Sequence, residues 1–309
     1  MPRVRLAVPL LALSLLCVPA AHARVPVPAD TDEIVQSVTI HYRAHDGVRR
    51  KAIVLMPRDA DPTRELPLII SPHGRGVDAA SNARLWGDLP GLYDFVVVNP
   101  EGQGRKLGLY SWGFSGEIED LARMPEIVAR SVRRVHIDMG RIYAFGGSMG
   151  GQEALLLLAR HPEILTGVAA FDPATDMAER YRAFGGMKDG EHLQQLARRE
   201  IGGSPRRAPR AYAQRSPSHF VEQIATAGVP TQIWWSTRDR VIRNQSLHGA
   251  GLLFRQIKAF NPIAPVQECK GMWRHTVEMS WDRRLPNALG HFGLRAPPHS
   301  VVWGGRPLP

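Results

Sequence analysis

Short apolar runs alternate along the chain with stretches whose apolar residues recur at helical spacing. That alternation predicts an α/β fold with a mainly parallel sheet. Val38 to Tyr42 and Ala52 to Met56 read as two strands, with His45-Asp46-Gly47 as the turn of a hairpin. Leu66 to Ser71 and Phe95 to Asn99 are nearly continuous apolar runs, the pattern of strands buried on both faces. Ile118, Leu121, Met124, Ile127 and Val128 mark a helix between Glu117 and Val132, which Pro125 should kink or split. Arg141 to Phe145 is a further strand, and Gln152 to Arg160 a helix that stops before Pro162. Thr166 to Phe171, Thr231 to Ser236 and Val266 to Cys269 complete a set of eight strands. Val241 to Phe260 should be mostly helical, and a last helix is expected from Thr276 to Leu285, ended by Pro286.

One stretch breaks the alternation. Met177 to Ala227 has no strand pattern, carries Gly185-Gly186, Gly202-Gly203, Pro205, Pro209 and Pro217, and is dense in arginine. It reads as a helical excursion above the sheet. The chain has no internal repeat and no low-complexity linker, so a single catalytic domain is expected over residues 24–309.

Composition narrows the class. The chain has 309 residues, of which 44% are hydrophobic and 22% charged, values that exclude a disordered, collagen-like or coiled-coil protein. Residues 1–23 have the form of a signal peptide. Arg3 and Arg5 are basic, Leu6 to Ala20 is a mostly apolar run broken by Pro9, and Ala21-His22-Ala23 is a small-x-small cleavage site. The apolar part is too short to span a bilayer, and no later stretch reaches about 20 residues. An exported protein, extracellular or periplasmic, is expected, with no membrane span. Removing residues 1–23 also removes Cys17 and leaves Cys269 as the single cysteine, so no internal disulfide can form. The formal charge is +10, and Arg198, Arg199, Arg206, Arg207, Arg210 and Arg215 form a basic cluster. No aromatic residues interleave with it, so a solvated face rather than a nucleic-acid surface is expected.

The chemistry concentrates in Gly146-Gly147-Ser148-Met149-Gly150-Gly151, which joins a strand to a helix. G-x-S-x-G in that setting is a nucleophile elbow, with the serine hydroxyl exposed on a sharp turn at a helix N-terminus. Asp239 follows the strand Thr231 to Ser236, and His275 follows Val266 to Cys269, which puts both at the carboxyl edge of the sheet. His275 is the candidate base for Ser148, and Asp239 the acid that orients it. Asp172 is the reserve acid and His291 the reserve base. The oxyanion donors are assigned to the backbone N–H groups of Met149 and of Arg75 in the loop Pro72-His73-Gly74-Arg75-Gly76. Trp112 and Trp273, with Tyr110 and Phe114, are candidate walls of a substrate pocket. No H-E-x-x-H, Cys/His metal spacing or Walker loop occurs, so no metal or other cofactor is implied.

These motifs give the chain a family likeness. It resembles serine hydrolases of the α/β-hydrolase fold: a mostly parallel eight-stranded sheet flanked by helices, with the excursion over the active-site edge. From Gly146 to the Asp239 and His275 loops it is similar to the catalytic domain of the prolyl oligopeptidase family. The stretch from Ile201-Gly202-Gly203-Ser204-Pro205 through Tyr212 to Ser216-Pro217 is the more family-specific part. The loop Pro72-His73-Gly74 instead resembles that of secreted esterases and polyester depolymerases, and the roughly 13 residues from Arg24 to Gln36 are too few for the family's propeller. The resemblance implies acyl-enzyme chemistry on a small-molecule or polymeric ester, or on a peptide bond. The rivals are an acyltransferase, whose elbow in the homoserine acetyltransferases is similar, and a silent binding module on the same fold.

Overall fold

The structure is a computed structural model that describes residues 34–276, Met279 and 284–295. The expected signal peptide lies outside them, as does most of the segment expected to form the last helix. Within these residues the strands are β1 (Val35–Arg43), β2 (Arg49–Pro57), β3 (Glu65–Ile70), β4 (Val96–Pro100), β5 (His136–Gly147), β6 (Gly167–Phe171), β7 (Thr231–Ser236) and β8 (Val266–Gly271). They form one sheet in the order β1-β2-β4-β3-β5-β6-β7-β8. β2 pairs antiparallel with β1 and with β4, and every other pair is parallel.

Alternation along the central strands divides the core in two. Leu66, Leu68, Ile70, Val96, Val98, Ile142 and Ala144 pack on one face, beneath the helices Ser115–Ala122, Met124–Ser131, Met149–Arg160 and Ala250–Phe260. Ile69, Val97, Tyr143 and Phe145 face the other way, into a cluster rich in aromatics with Trp86, Phe95, Phe171 and Leu285. Both faces are buried, so the runs read as unbroken apolar stretches in the sequence.

Pro125 splits the expected helix as anticipated. One helix ends at Ala122, and the next starts at Met124 with the proline in its first turn. The last helix departs from the expectation: it runs from Arg284 to His291, with Pro286 near its start rather than beyond its end. Proline is tolerated in a first turn because the N–H it lacks has no intrahelical acceptor there. β5 starts at His136, five residues earlier than expected, because its polar first half hides the strand pattern.

The excursion contains the helices Met177–Phe184, Gly190–Ile201, Pro209–Ala213 and Val221–Thr226. It builds a small core of its own, in which Met177, Phe184, Ile201 and Tyr212 pack with Trp112, Met149 and Ile242 from the sheet edge. Arg215 leaves the expected basic surface cluster. It is buried, its guanidinium donates to the backbone oxygen of Ser111, and its Nη2 stands 3.4 Å from Glu200. The fully buried Glu200 carboxylate also accepts the N–H groups of Arg105 (2.5 Å), Lys106 (2.7 Å) and Leu107 (2.9 Å). One side chain of the excursion thus closes the loop after β4. Glu200→Ala strands three N–H donors and a buried cation, and should lower unfolding free energy by about 3 kcal/mol. Urea unfolding measures this, and a loss below about 1 kcal/mol would contradict the role.

Candidate active site

Parallel register brings the carboxyl ends of β3, β5, β6, β7 and β8 to one edge. Gly147 pairs with Phe171, Phe171 with Trp234, and Ser236 with Gly271. The ladder runs one residue past the strand ends: Ser148 N–H donates to Phe171 O, and Asp172 N–H to Trp234 O, both at 2.8 Å. Thr237 N–H donates to Gly271 O at 3.0 Å. The first loop residue after each of these strands is therefore fixed by its neighbour.

Ser148 sits where β5 turns into the helix Met149–Arg160, at φ 59° and ψ −116°. That conformation is strained for a residue with a side chain, and such strain gathers at functional sites. The elbow needs glycine on either side because backbones approach closely. A Cβ at Gly146 would lie 2.3 Å from Gly150 O, and one at Gly150 would lie 2.1 Å from Pro72 O. The second contact shows that the loop after β3 packs directly on the elbow. The N–H groups of Met149 and Arg75, the expected oxyanion donors, have no acceptor among the described residues.

His275 and Asp239 meet after β8 and β7. His275 Nδ1 donates to Asp239 Oδ2 at 2.7 Å, so Nε2 is the ring nitrogen turned away from the acid. Nε2 is buried and has no hydrogen-bond partner. No hydrogen bond joins it to Ser148 Oγ, and such bonds often form only once substrate is bound. Asp239 also accepts the N–H groups of Val241 (2.7 Å) and Ile242 (2.9 Å), and Gln245 Nε2 (2.7 Å). Burial raises its pKa, but the hydrogen bond and charge of His275, with those two N–H groups, outweigh burial and hold the carboxyl below its ordinary value.

Asp172, the reserve acid, does not bond to His275. Its carboxylate accepts Trp273 Nε1 (3.0 Å), Gln245 Nε2 (3.3 Å) and Arg284 Nη1 (3.1 Å). Gln245 therefore bridges the two acids, a link with no signal in the sequence. Oxygens of Asp172 and Asp239 and a nitrogen of His275 lie within 4.8 Å of one another, the spacing of a cation site. Their lone pairs, however, already accept six donors between the two acids. His291 stands on the exposed last turn of the helix Arg284–His291 and takes no part.

The aromatic expectations divide. Trp112 is 2% exposed and cannot wall a pocket: its backbone N–H donates to Met149 Sδ at 3.3 Å, and its ring packs against Phe184. It is covered because the excursion folds back over it. Trp273 is partly exposed, with its ring under the Arg284 guanidinium at 4.4 Å. A cavity of about 60 Å³ lies against the elbow, lined by Gly74, Gly147, Thr276, Met279, Phe145 and Trp86. A larger cleft of about 310 Å³, between His219, His248 and Glu179, includes none of these site residues.

Burial pushes the Asp172 carboxyl up to about 6, against the lowering effect of His275. The native state then binds its proton more tightly than the unfolded chain, so its contribution to stability falls as pH rises from about 4 to 6. Asp172→Asn, neutral throughout, should shift the stability difference from wild type in the variant's favour across that window by up to about 3 kcal/mol. Urea unfolding at pH 4.5 and 6.5 tests this; a difference independent of pH would refute the raised value.

Residues 112–264 match the prolyl oligopeptidase family. The bifunctional acetylxylan esterase/xylanase of Neocallimastix patriciarum is 30% identical over 137 residues, 43% of this chain and 19% of that one. The chain spans about a fifth of the length of the curated relatives it matches. Among solved structures, the acetyl xylan esterase of Paenibacillus sp. R4 superposes with TM-score 0.62 at 14% identity, covering 87% of both chains. The acylaminoacyl peptidase of Pyrococcus horikoshii gives 0.62 at 12% identity, over 84% of this chain and 41% of that one. With an eight-stranded, mostly parallel sheet flanked by helices, this chain has the α/β-hydrolase fold and is similar over residues 112–264 to the prolyl oligopeptidase family.

Proposed function

We propose that the chain is an exported esterase that works through an acyl-enzyme, with Ser148 as nucleophile, His275 as base and Asp239 as orienting acid. The observation that carries this is the elbow at Ser148, on the same sheet edge as a His275 ring held by Asp239 with its second nitrogen buried and unpaired. Ser148 gives its proton to His275 Nε2 as Oγ attacks the acyl carbon. The N–H groups of Met149 and Arg75 take the oxyanion, and His275 then protonates the leaving alcohol. Water repeats the sequence to release the acid. Export rests on the basic, apolar and small-residue pattern of residues 1–23.

Ser148→Ala should abolish covalent labelling by a fluorophosphonate without lowering the melting temperature. His275→Ala, and Asp239→Asn through the wrong tautomer, should each cut kcat by about 10³-fold or more. Stoichiometric labelling at another serine would overturn the assignment.

The cavity against the elbow, about 60 Å³, has room for roughly two water-sized groups, which suits an acetyl or propionyl chain better than a long one. Acetyl ester cleavage is also in the name of two relatives. An alkoxide or phenolate leaves more readily than an amine anion, so ester cleavage depends less on leaving-group protonation and the same machinery turns over esters before amides. Hydrolysis of 4-nitrophenyl esters should fall from acetate to octanoate, and internal cleavage of casein should be negligible. The family match makes peptide bonds the second reading. Alanine and proline aryl amides with higher kcat/KM than every ester would establish it.

A further inference from the structure

Two arginines packed on the Phe184 ring have no carboxylate partner among the described residues. Arg75 extends from the loop after β3, and its guanidinium carbon lies 5.8 Å from the centre of the Phe184 ring. Arg180, in the helix Met177–Phe184, lies 4.7 Å from the centre of the same ring. Its Nη1 donates to Val241 O at 2.6 Å, and Val241 N–H is bound by Asp239 Oδ1. Arg180 is thereby tied to the loop that carries the proposed orienting acid, and Arg75 shares the Phe184 ring with it. Neither stands within ion-pairing distance of a carboxylate among the described residues.

Arg180 is 7% exposed and Arg75 half-buried. Burial, together with the charge of Arg75, lowers Arg180 to about 10, and burial lowers Arg75 as well. The Phe184 ring offsets part of this through its π face, but it does not neutralise either charge. The charge of Arg75 acts on the buried Arg180, and this repulsion disfavours the free protein. An anion that reaches both offsets the repulsion and receives charge-assisted hydrogen bonds from the guanidinium groups.

We propose that Arg75 and Arg180 bind a carboxylate carried by the substrate near its scissile ester, so that the enzyme prefers anionic esters. This rests on Ser148 being the nucleophile. Arg75 then serves the substrate twice: its backbone N–H faces the oxyanion and its side chain the carboxylate.

Two substrate series locate the charge. Mono-4-nitrophenyl glutarate and adipate, each beside its primary-amide isostere, place it on the acyl side. 4-Carboxyphenyl acetate beside 4-carbamoylphenyl acetate places it on the leaving group. In one series, kcat/KM for the anion should exceed that for the neutral isostere by about tenfold. That ratio should shrink in 0.5 M NaCl and fall to near one in Arg75→Met, which keeps the backbone N–H and much of the side-chain volume. A ratio near one in both series, or an unchanged ratio in Arg75→Met, overturns the proposal. Thermal shifts with glutarate and benzoate, beside their amides, read the site without turnover: the anions should raise the melting temperature of wild type and not of Arg75→Met. A retained shift without ester hydrolysis overturns the hydrolase reading and leaves the anion site standing, whereas no shift in wild type overturns the anion site.

Discussion

Everything at the candidate site depends on the parallel ladder from β5 to β8. A parallel sheet delivers all its strand ends to one side, but it does not by itself fix the loops beyond them. Here a carbonyl of the neighbouring strand captures the N–H of the first loop residue, at Ser148, Asp172 and Thr237. Three loops otherwise free to wander are held in fixed register. Ser148 can be kept at a positive φ because its N–H is bound from one side and Gly146 and Gly150 let strand, helix and the loop after β3 close in from the others.

A second layer holds the first. Asp172, Gln245, Trp273 and Arg284 surround the His275–Asp239 pair, with Ser236 Oγ bonded to both the N–H and the C=O of Trp273. The loop bearing His275 is thus clamped at Trp273, two residues before the imidazole. A buried ion pair such as Asp172–Arg284 adds little net stability, so its value lies in fixing one geometry for the side chains around it. The excursion contributes in a comparable way from above, through Glu200 on the loop after β4 and Arg180 on the loop after β7.

Much of this was legible in the sequence. Central strands are buried on two faces, and an unbroken apolar run reports that directly, so β3, β4, β6 and β7 lie within two residues of expectation. Ser148, Asp239 and His275 could be picked out as candidates because a fixed chain order and strand ends locate them, and the folded sheet sets all three loops at one edge. What escaped depends on contacts between distant segments. Nothing near Trp112 reveals that Phe184, some 70 residues on, will cover it. Arg215 looks like its solvent-exposed neighbours until Glu200 and Ser111 surround it. Gln245 is an ordinary polar residue of an amphipathic stretch, and only the folded sheet puts two acids beside it. Pro286 misled because one proline can open a helix as readily as end it.

The order of the sheet leaves β1 and β8 as its two margins. A margin strand displays unpaired backbone groups, and a flat apolar one would template runaway association between copies. β8 carries Gln267, Glu268 and Lys270, with Lys270 exposed over the Trp235 ring; β1 carries exposed His41 and Arg43. Joining two such margins would force charged side chains into register and strip their water. The same polar residues that make β8 hard to recognise as a strand therefore act as gatekeepers, protecting against fibrillar self-assembly.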